Sequence, residues 1–391
     1  MVLKAFKMRI YPNQIQKIHL KQTFGCARFV WNQMLDMQTK RYLNNPKAPY
    51  LNNYAMNNLL PQLKREYPWL KEAESTALQS VNRDLDDAFK RLFKKQNQRP
   101  NFKSKRYSQS YTSKCVNNNI LIVDEHHIKL PKLGIVAFRA GRIPVGKIKA
   151  VTVRKNVVGQ YYIAVLAECA SQTLTKTGKV VGGDLGLKAL LNLSDGGKEP
   201  LVRYDKVLAN KLHVWERKAA RRRRLAEKEI AWDHHDKAIA PRTLSDFKNY
   251  QKARIQVAKI KQKIANQRLD QIQKYTTQLV RQYDLIVLEK LNIKGLLKNH
   301  KLARTISNAS WSKLVSTLAY KCEWYGKQFL QVNPAYTSQI CSYCDNNNQR
   351  LGLSKSEWLA VREWDCPKCQ AHLDRDTNAA RNILASGLAT L

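Results

Sequence analysis

Two pairs of cysteines near the end of the sequence constrain this chain more than any other feature. Cys341-Ser342-Tyr343-Cys344 and Cys366-Pro367-Lys368-Cys369 form a C-x2-C…C-x2-C pattern with 21 residues between the pairs. Each pair makes a knuckle whose two thiolates reach one ion, and two knuckles complete the four-thiolate tetrahedron that Zn²⁺ prefers. Residues 345–365 then loop out as a ribbon. Such a site is closed, with no open coordination position, so its role is structural. A catalytic dithiol is the alternative, but redox enzymes seldom place two such pairs this way. The other four cysteines (Cys26, Cys115, Cys169 and Cys322) stand singly and read as small buried apolar side chains.

Charge is the second constraint. The 391 residues carry 69 Lys plus Arg against 30 Asp plus Glu, a formal net charge of +39. A compact fold with that imbalance repels itself, so a polyanionic partner is expected. Nucleic acid is the first candidate and an anionic membrane surface the second; a basic structural RNA-binding protein is the plainer alternative to an enzyme. The excess is +11 over residues 1–100, +8 over 101–150 and +8 over 251–300, and it falls to zero over the last 41 residues. Ala88 to Val123 holds no acid at all, while Lys103, Lys105 and Arg106 stand there among Phe93, Phe102, Tyr107 and Tyr111, aromatics that can stack on bases. A hydrophobic content of 43% excludes a disordered chain. Lys7 and Arg9 arrive with no apolar h-region, so no secretory signal is expected, and no run of about 18 apolar residues suggests a membrane span.

Periodicity divides the chain. Residues 14–43 predict a helix capped by Asn13, with Ile15, Ile18, Phe24 and Phe29 near one face. A second helix is expected over 70–95, with Pro46, Pro49, Pro61 and Pro68 punctuating the stretch between. From Asn119 short strands separated by Gly134, Gly141, Gly146 and Gly159 predict a small β-barrel-like module. Two long polar helices are expected over about 205–231 and 246–283, the first bearing Arg221, Arg222, Arg223 and Arg224.

Three acids fit poorly with surface pairing. Asp184 ends the uncharged run Val180-Val181-Gly182-Gly183, Glu289 ends Leu285-Ile286-Val287-Leu288, and Asp376 lies beside an expected helix start. An apolar strand ending in a carboxylate is a poor place for an unpaired charge unless a cation is there. Three such acids from separate segments can hold two Mg²⁺ or Mn²⁺ ions, and such a pair is suited to phosphodiester hydrolysis.

In order and spacing, several motifs resemble the TnpB (OrfB) proteins of bacterial transposons, RNA-guided DNA nucleases akin to compact type V CRISPR effectors. They run from Lys4-Ala5-Phe6-Lys7-Met8-Arg9-Ile10-Tyr11-Pro12-Asn13 through Gly183-Asp184-Leu185-Gly186-Leu187-Lys188 and Leu288-Glu289-Lys290-Leu291-Asn292-Ile293-Lys294-Gly295 to Glu323-Trp324-Tyr325-Gly326. They close on Thr337-Ser338-Gln339-Ile340-Cys341 and Asp374-Arg375-Asp376-Thr377-Asn378-Ala379-Ala380. The resemblance implies an α/β multidomain protein. Residues 1–10 would start a wedge β-barrel continued by 113–176, and 11–112 would form a helical recognition lobe. A RuvC-like (RNase H fold) nuclease would occupy 177–391, with a zinc ribbon inserted at 337–371. It implies Asp184, Glu289 and Asp376 as the catalytic, Mg²⁺- or Mn²⁺-binding triad, with Asp376 rather than Asp374 opening the D-x-N-A-A pattern. Cys341, Cys344, Cys366 and Cys369 would hold one structural Zn²⁺. The partners implied are one guide RNA from the transposon end, with one protein per RNA, and duplex DNA beside a short adjacent motif. Gln79 and Asn117 occupy surroundings that match the motif-reading positions. The expected activity is metal-dependent cleavage of both DNA strands in the bacterial cytoplasm, at the nucleoid, with no membrane. A nuclease-silent RNA-guided repressor is the alternative. Gly183 stands where the family commonly has an aliphatic residue.

Overall fold

A computed structural model describes residues 1–106, 109–235 and 242–391, which form two compact units, Met1–Ala170 and Ser171–Leu391. In the first unit β1 (Val2–Tyr11) leads into α1 (Gln14–Asn44), α2 (Asn53–Glu66) and α3 (Ser75–Phe93). Six strands follow: β2 (Gln109–Lys114), β3 (Leu121–Ile122), β4 (His127–Leu130), β5 (Gly134–Arg139), β6 (Lys147–Lys155) and β7 (Tyr161–Cys169). They pair with β1 in one antiparallel sheet of order β2-β6-β7-β1-β5-β4-β3. The first strand therefore sits between strands made far later in the chain, pairing Arg9 with Arg139 on one side and Val2 with Cys169 on the other, which no local signal reveals. Helices and sheet share one buried cluster, in which Met8, Ile10 and Val165 lie with Leu20, Leu78 and Leu85.

Asn13 caps α1 in a reciprocal capping box with Gln16, each side chain bonding the other's backbone N–H at 2.9 Å. The core face of α1 is Leu20, Phe24, Ala27, Val30 and Met34, whereas Ile15 and Ile18 are exposed rather than facing the core. The segment expected to be punctuated by prolines contains the helix α2, with Pro61 inside it. The missing N–H of Pro61 removes one helical bond, and burial of Met56, Leu60 and Leu63 outweighs that loss. The helix expected over 70–95 starts at Ser75, after a 3₁₀ turn at Pro68–Glu72. β2 begins at Gln109, so the boundary expected at residue 113 falls inside a strand.

The second unit is built on five strands: β8 (Val180–Asp184), β9 (Ala189–Leu193), β10 (Lys198–Pro200), β11 (Leu285–Glu289) and β12 (Gln328–Val332), ordered β10-β9-β8-β11-β12. β8, β9 and β10 run antiparallel, while β11 lies parallel to both β8 and β12. Between β10 and β11 come α4 (Tyr204–Val207), α5 (Ala209–His235) and α6 (Lys248–Gln282); between β11 and β12 come α7 (Ile293–Leu296), α8 (His300–Ala309) and α9 (Trp311–Tyr325). The final stretch holds α10 (Lys355–Ala360), the hairpin β13 (Glu363–Asp365) and β14 (His372–Asp374), and α11 (Arg375–Leu388). Every residue of β11 is buried, as a central parallel strand requires. Among the described residues no helix is long and apolar enough to cross a membrane.

α11 lies against β8 so closely that only glycine fits beneath it. A Cβ on Gly182 would sit 2.1 Å from the Ala380 carbonyl oxygen and 2.7 Å from the Leu384 nitrogen. Gly183 differs: there a Cβ would meet only the side-chain ends of Leu288 and Leu191, which fill the space left by the absent aliphatic residue. Gly182→Ala should therefore cost about 1–3 kcal/mol through overpacking, measured by chemical denaturation. Gly141→Ala, with nothing within 4 Å of its Cβ, should be near neutral.

Candidate nuclease and metal sites

Strand register brings two of the three acids together. Val180↔Leu285 to Gly183↔Leu288 pair in parallel, so Asp184 and Glu289 are the next residues on neighbouring strands. Both occupy the carboxyl ends of their strands, where open α/β sheets place ligands. Glu289 is 6% exposed and its Oε1 accepts from the Leu185 backbone N–H at 3.0 Å. The two carboxyls are close enough to influence each other's affinity for protons. Burial and then the charge of Asp184 push Glu289 well above the usual carboxylate range. Burial and then the charge of Asp376 push Asp184 up too, while Asn192 opposes the shift by donating from Nδ2 at 3.5 Å.

Asp376 stands in the first turn of α11, next to the cap residue Asp374, whose side chain accepts from the Thr377 N–H. Its Oδ1 accepts from Arg375 Nη2 at 2.8 Å and Nε at 3.1 Å, and its Oδ2 lies 3.5 Å from Arg362 Nη1. It acts on Asp184 through charge, but the two arginines draw its carboxylate aside. Among the described residues the grouping close enough to hold a metal ion is the four ribbon thiols, whose sulfurs lie within 4.8 Å of one another; the three acids do not form such a group. Beside Asp376 opens a cavity of about 450 Å³ whose charged lining is Lys188, Lys198, Arg362 and Asp374, with Asn192 also on its wall. Basic side chains around an acid at strand ends suit a phosphate backbone approaching a divalent ion. The all-oxygen donor set, with two like-charged carboxyls in contact, fits Mg²⁺ or Mn²⁺.

At the ribbon, the Sγ atoms of Cys341 and Cys369 are 3.7 Å apart and those of Cys344 and Cys366 are 3.6 Å apart. A tetrahedron with bonds of ~2.3 Å has edges of about 3.8 Å, so the spacing matches zinc ligation and not a disulfide. Cys341 and Cys366 form a small core with Trp358, Trp364 and Leu373, the two indoles meeting edge-on at 5.9 Å. Cys26, Cys169 and Cys322 are buried and Cys115 is partly buried, all as free thiols.

The sequence-derived nucleic-acid contacts divide. Gln79, on α3, is exposed, and Asn117 occupies a left-handed turn just after β2. The Lys114 N–H donates to Thr76 Oγ1, tying the first turn of α3 to that strand end. Lys105 and Arg106 are exposed, but the Lys103 ammonium lies over the Trp31 ring at 3.5 Å. Tyr111 is a core residue packed on Phe24, which removes it as a stacking platform. Phe93 and Phe102 are exposed, and Tyr107 falls outside the described residues. Arg222 donates to the Asn249 carbonyl and exposed Arg223 pairs with Glu227; Arg221 and Arg224 are exposed as well. Asn192, Lys198, Arg362 and Arg375 were invisible as site residues. Arg375 alone had a signal, its place between two acids; the others meet the site through pairing across the fold.

The family model described as "Probable transposase" matches residues 160–300, that described as "Cas12f1-like, TNB domain" matches 311–383, and one described as "Helix-turn-helix domain" matches 1–47. In this chain that last span is a strand followed by one 31-residue helix. A "Putative RNA-guided DNA endonuclease" of Streptomyces pristinaespiralis is 34% identical, the match covering 99% of this chain and 90% of the relative. The "Putative RNA-guided DNA endonuclease InsQ" of Escherichia coli (strain K12) is 30% identical, with 100% and 93% covered. Among solved structures, CasPhi-2 (Cas12j) bound to crRNA aligns over 99% of this chain and 98% of its own at a TM-score of 0.42 and 10% identity.

The buried acid pair has a stability signature. A carboxyl whose folded-state affinity for protons is raised loses stability as pH climbs above its unfolded value. Without divalent ions, Glu289→Gln should melt about 2–4 °C above the parent near pH 8, and the gap should close near pH 4, where both carboxyls are protonated. Differential scanning calorimetry across that range checks it.

Proposed function

We propose, from the premise that this chain belongs to the TnpB (OrfB) family, that it is an RNA-guided DNA endonuclease cleaving both strands of duplex DNA at a single carboxylate site. The observation that carries this reading is the placement of Asp184 and Glu289 side by side at register-matched strand ends, with Asp376 of α11 near enough to act on Asp184 through its charge. The strand order β10-β9-β8-β11-β12, antiparallel on one side and parallel on the other, supports a RuvC-like (RNase H) nuclease over residues 177–391. The ribbon at 337–371 is then an insertion between its second and third acids. Residues 1–10 and 113–176 serve as the wedge module, and 11–112 as the recognition lobe.

In this reading Asp184, Glu289 and Asp376 bind the divalent ions through carboxylate oxygens. The chemistry supplied by two bound ions is activation of a water and stabilisation of the leaving oxygen of a phosphodiester. Glu289 is held by the Leu185 amide, and Asn192 orients Asp184. Lys188, Lys198 and Arg362 hold the phosphates flanking the scissile bond within the cavity. Arg362, partly exposed at the cavity wall, exchanges Asp376 for substrate phosphate when nucleic acid enters, while buried Arg375 keeps its hold on Asp376. Exposed Arg221, Arg224, Lys105 and Arg106 meet the backbones of guide and target, whose pairing reads sequence. Gln79 and Asn117 face the adjacent motif. The guide comes from the transposon end, one protein binds each RNA, and the complex works at the nucleoid.

Asp184→Ala should reduce Mg²⁺-dependent cleavage of a guide-matched plasmid by more than about 100-fold while guide RNA binding stays intact. Cleavage retained near the parental rate would rule the acid triad out.

A further inference from the structure

The ribbon and α11 are joined by buried side-chain amides. Asn378 is 1% exposed; its Oδ1 accepts from the Ser342 N–H at 2.8 Å and its Nδ2 donates to the Ile340 carbonyl at 2.7 Å. One turn later Asn382, 9% exposed, donates to the Thr337 and Ile340 carbonyls at 2.7 and 2.6 Å. Ser342 lies inside the first knuckle, and Ile340 precedes its first thiol. A second link runs through Arg375, also 9% exposed: Nη1 donates to the Trp358 carbonyl at 2.8 Å, while Nη2 and Nε hold Asp376. Trp358 belongs to the small core that contains Cys341 and Cys366.

We infer that Asn378 and Asn382 are positioning residues that couple occupancy of the four-thiolate site to the placement of Asp376. The physical reason is that the knuckle backbone has one geometry when four thiolates converge on an ion. The two asparagines carry that geometry to the helix two and six residues beyond Asp376. If the knuckle opens, four buried donor–acceptor pairs lose partners in a place water does not reach, and the first turn of α11 must shift to recover them. The Trp358 carbonyl moves with the same core, so the arginine holding Asp376 is displaced in step. The structural metal thus sets divalent-ion affinity at a site it never touches, and by linkage an ion at the acids tightens the thiolate site in return. This rests on the proposed role of Asp376 as a metal-binding acid.

The test uses the full chain with its bound RNA. Zinc release to a chromophoric chelator and Mn²⁺ affinity by electron paramagnetic resonance are measured for the parent, Asn378→Ala, Asn382→Ala and the parent stripped of zinc. Asn378→Ala should release zinc about 10-fold faster and bind Mn²⁺ about 10-fold more weakly, the range expected when an outer hydrogen bond to a metal site is lost. Asn378→Asp, which keeps the acceptor for the Ser342 N–H, should recover part of both losses. Saturating Mn²⁺ should slow zinc release in the parent, and the Asn378→Ala change should weaken that effect. Faster zinc release with unchanged Mn²⁺ affinity, or zinc-stripped protein with parental Mn²⁺ affinity, would overturn the coupling. Neither reading depends on cleavage, so an inactive enzyme would count against the nuclease assignment without disguising this result.

Discussion

Two carboxylic acids in contact at the ends of adjacent, largely apolar strands are the constraint on which the second unit is organised. A buried pair of like charges is unfavourable without a proton or a cation between them, and burial with neighbouring negative charge raises the proton affinity of both Glu289 and Asp184. The register that makes them neighbours comes from the uncharged, β-branched and leucine-rich runs of β8 and β11, which have no alternative burial. A one-residue slip of either strand would turn that strand's side chains over and part the two acids. The site is therefore a destabilising feature tolerated by a strong scaffold, as is common where activity and stability compete.

The remaining parts of the site come from what is pressed against that sheet edge. Gly182 lets α11 approach β8 at backbone distance, and this brings Asp376 to the strand ends. The ribbon is locked to the same helix by Asn378, Asn382 and Arg375, and it contributes Arg362 to the cavity wall. The zinc ribbon has no substantial core of its own: its buried apolar side chains are two indoles and two of the cysteines, packed with Leu373 just beyond it. A module that small depends on its metal to fold, which is why its state can report on the helix it grips.

Much of the site was legible because its strongest signals are local. Four cysteines in two short pairs and carboxylates closing apolar runs each express their chemistry within a few residues. Asn13 announced its helix because its cap is local, with the box completed three residues on. The features that escaped are settled by distant partners. Asn192 reaches Asp184 because β9 pairs with β8, and Arg362 reaches Asp376 because the β13–β14 hairpin folds back. Pro61 read as a break, yet tertiary burial of Met56 and Leu63 keeps α2 helical through it. Tyr111 shared the basic, aromatic composition of its neighbours, but β2 turns it into the core against Phe24. Composition identifies a basic surface; only the fold decides which aromatics remain on it.

The net charge of +39 is large for one bound strand and natural for a protein that holds a guide and a target together. The proposed function has an RNA address the carboxylate site to DNA. Its most direct measurement is to sequence the RNA that co-purifies with the chain, replace the target-matching end of that RNA with an unrelated sequence, and map the cut positions on a plasmid carrying both targets. Cleavage is expected to move to the new target and to leave the old one intact. Cuts that stay in place, or occur equally without RNA, would contradict it.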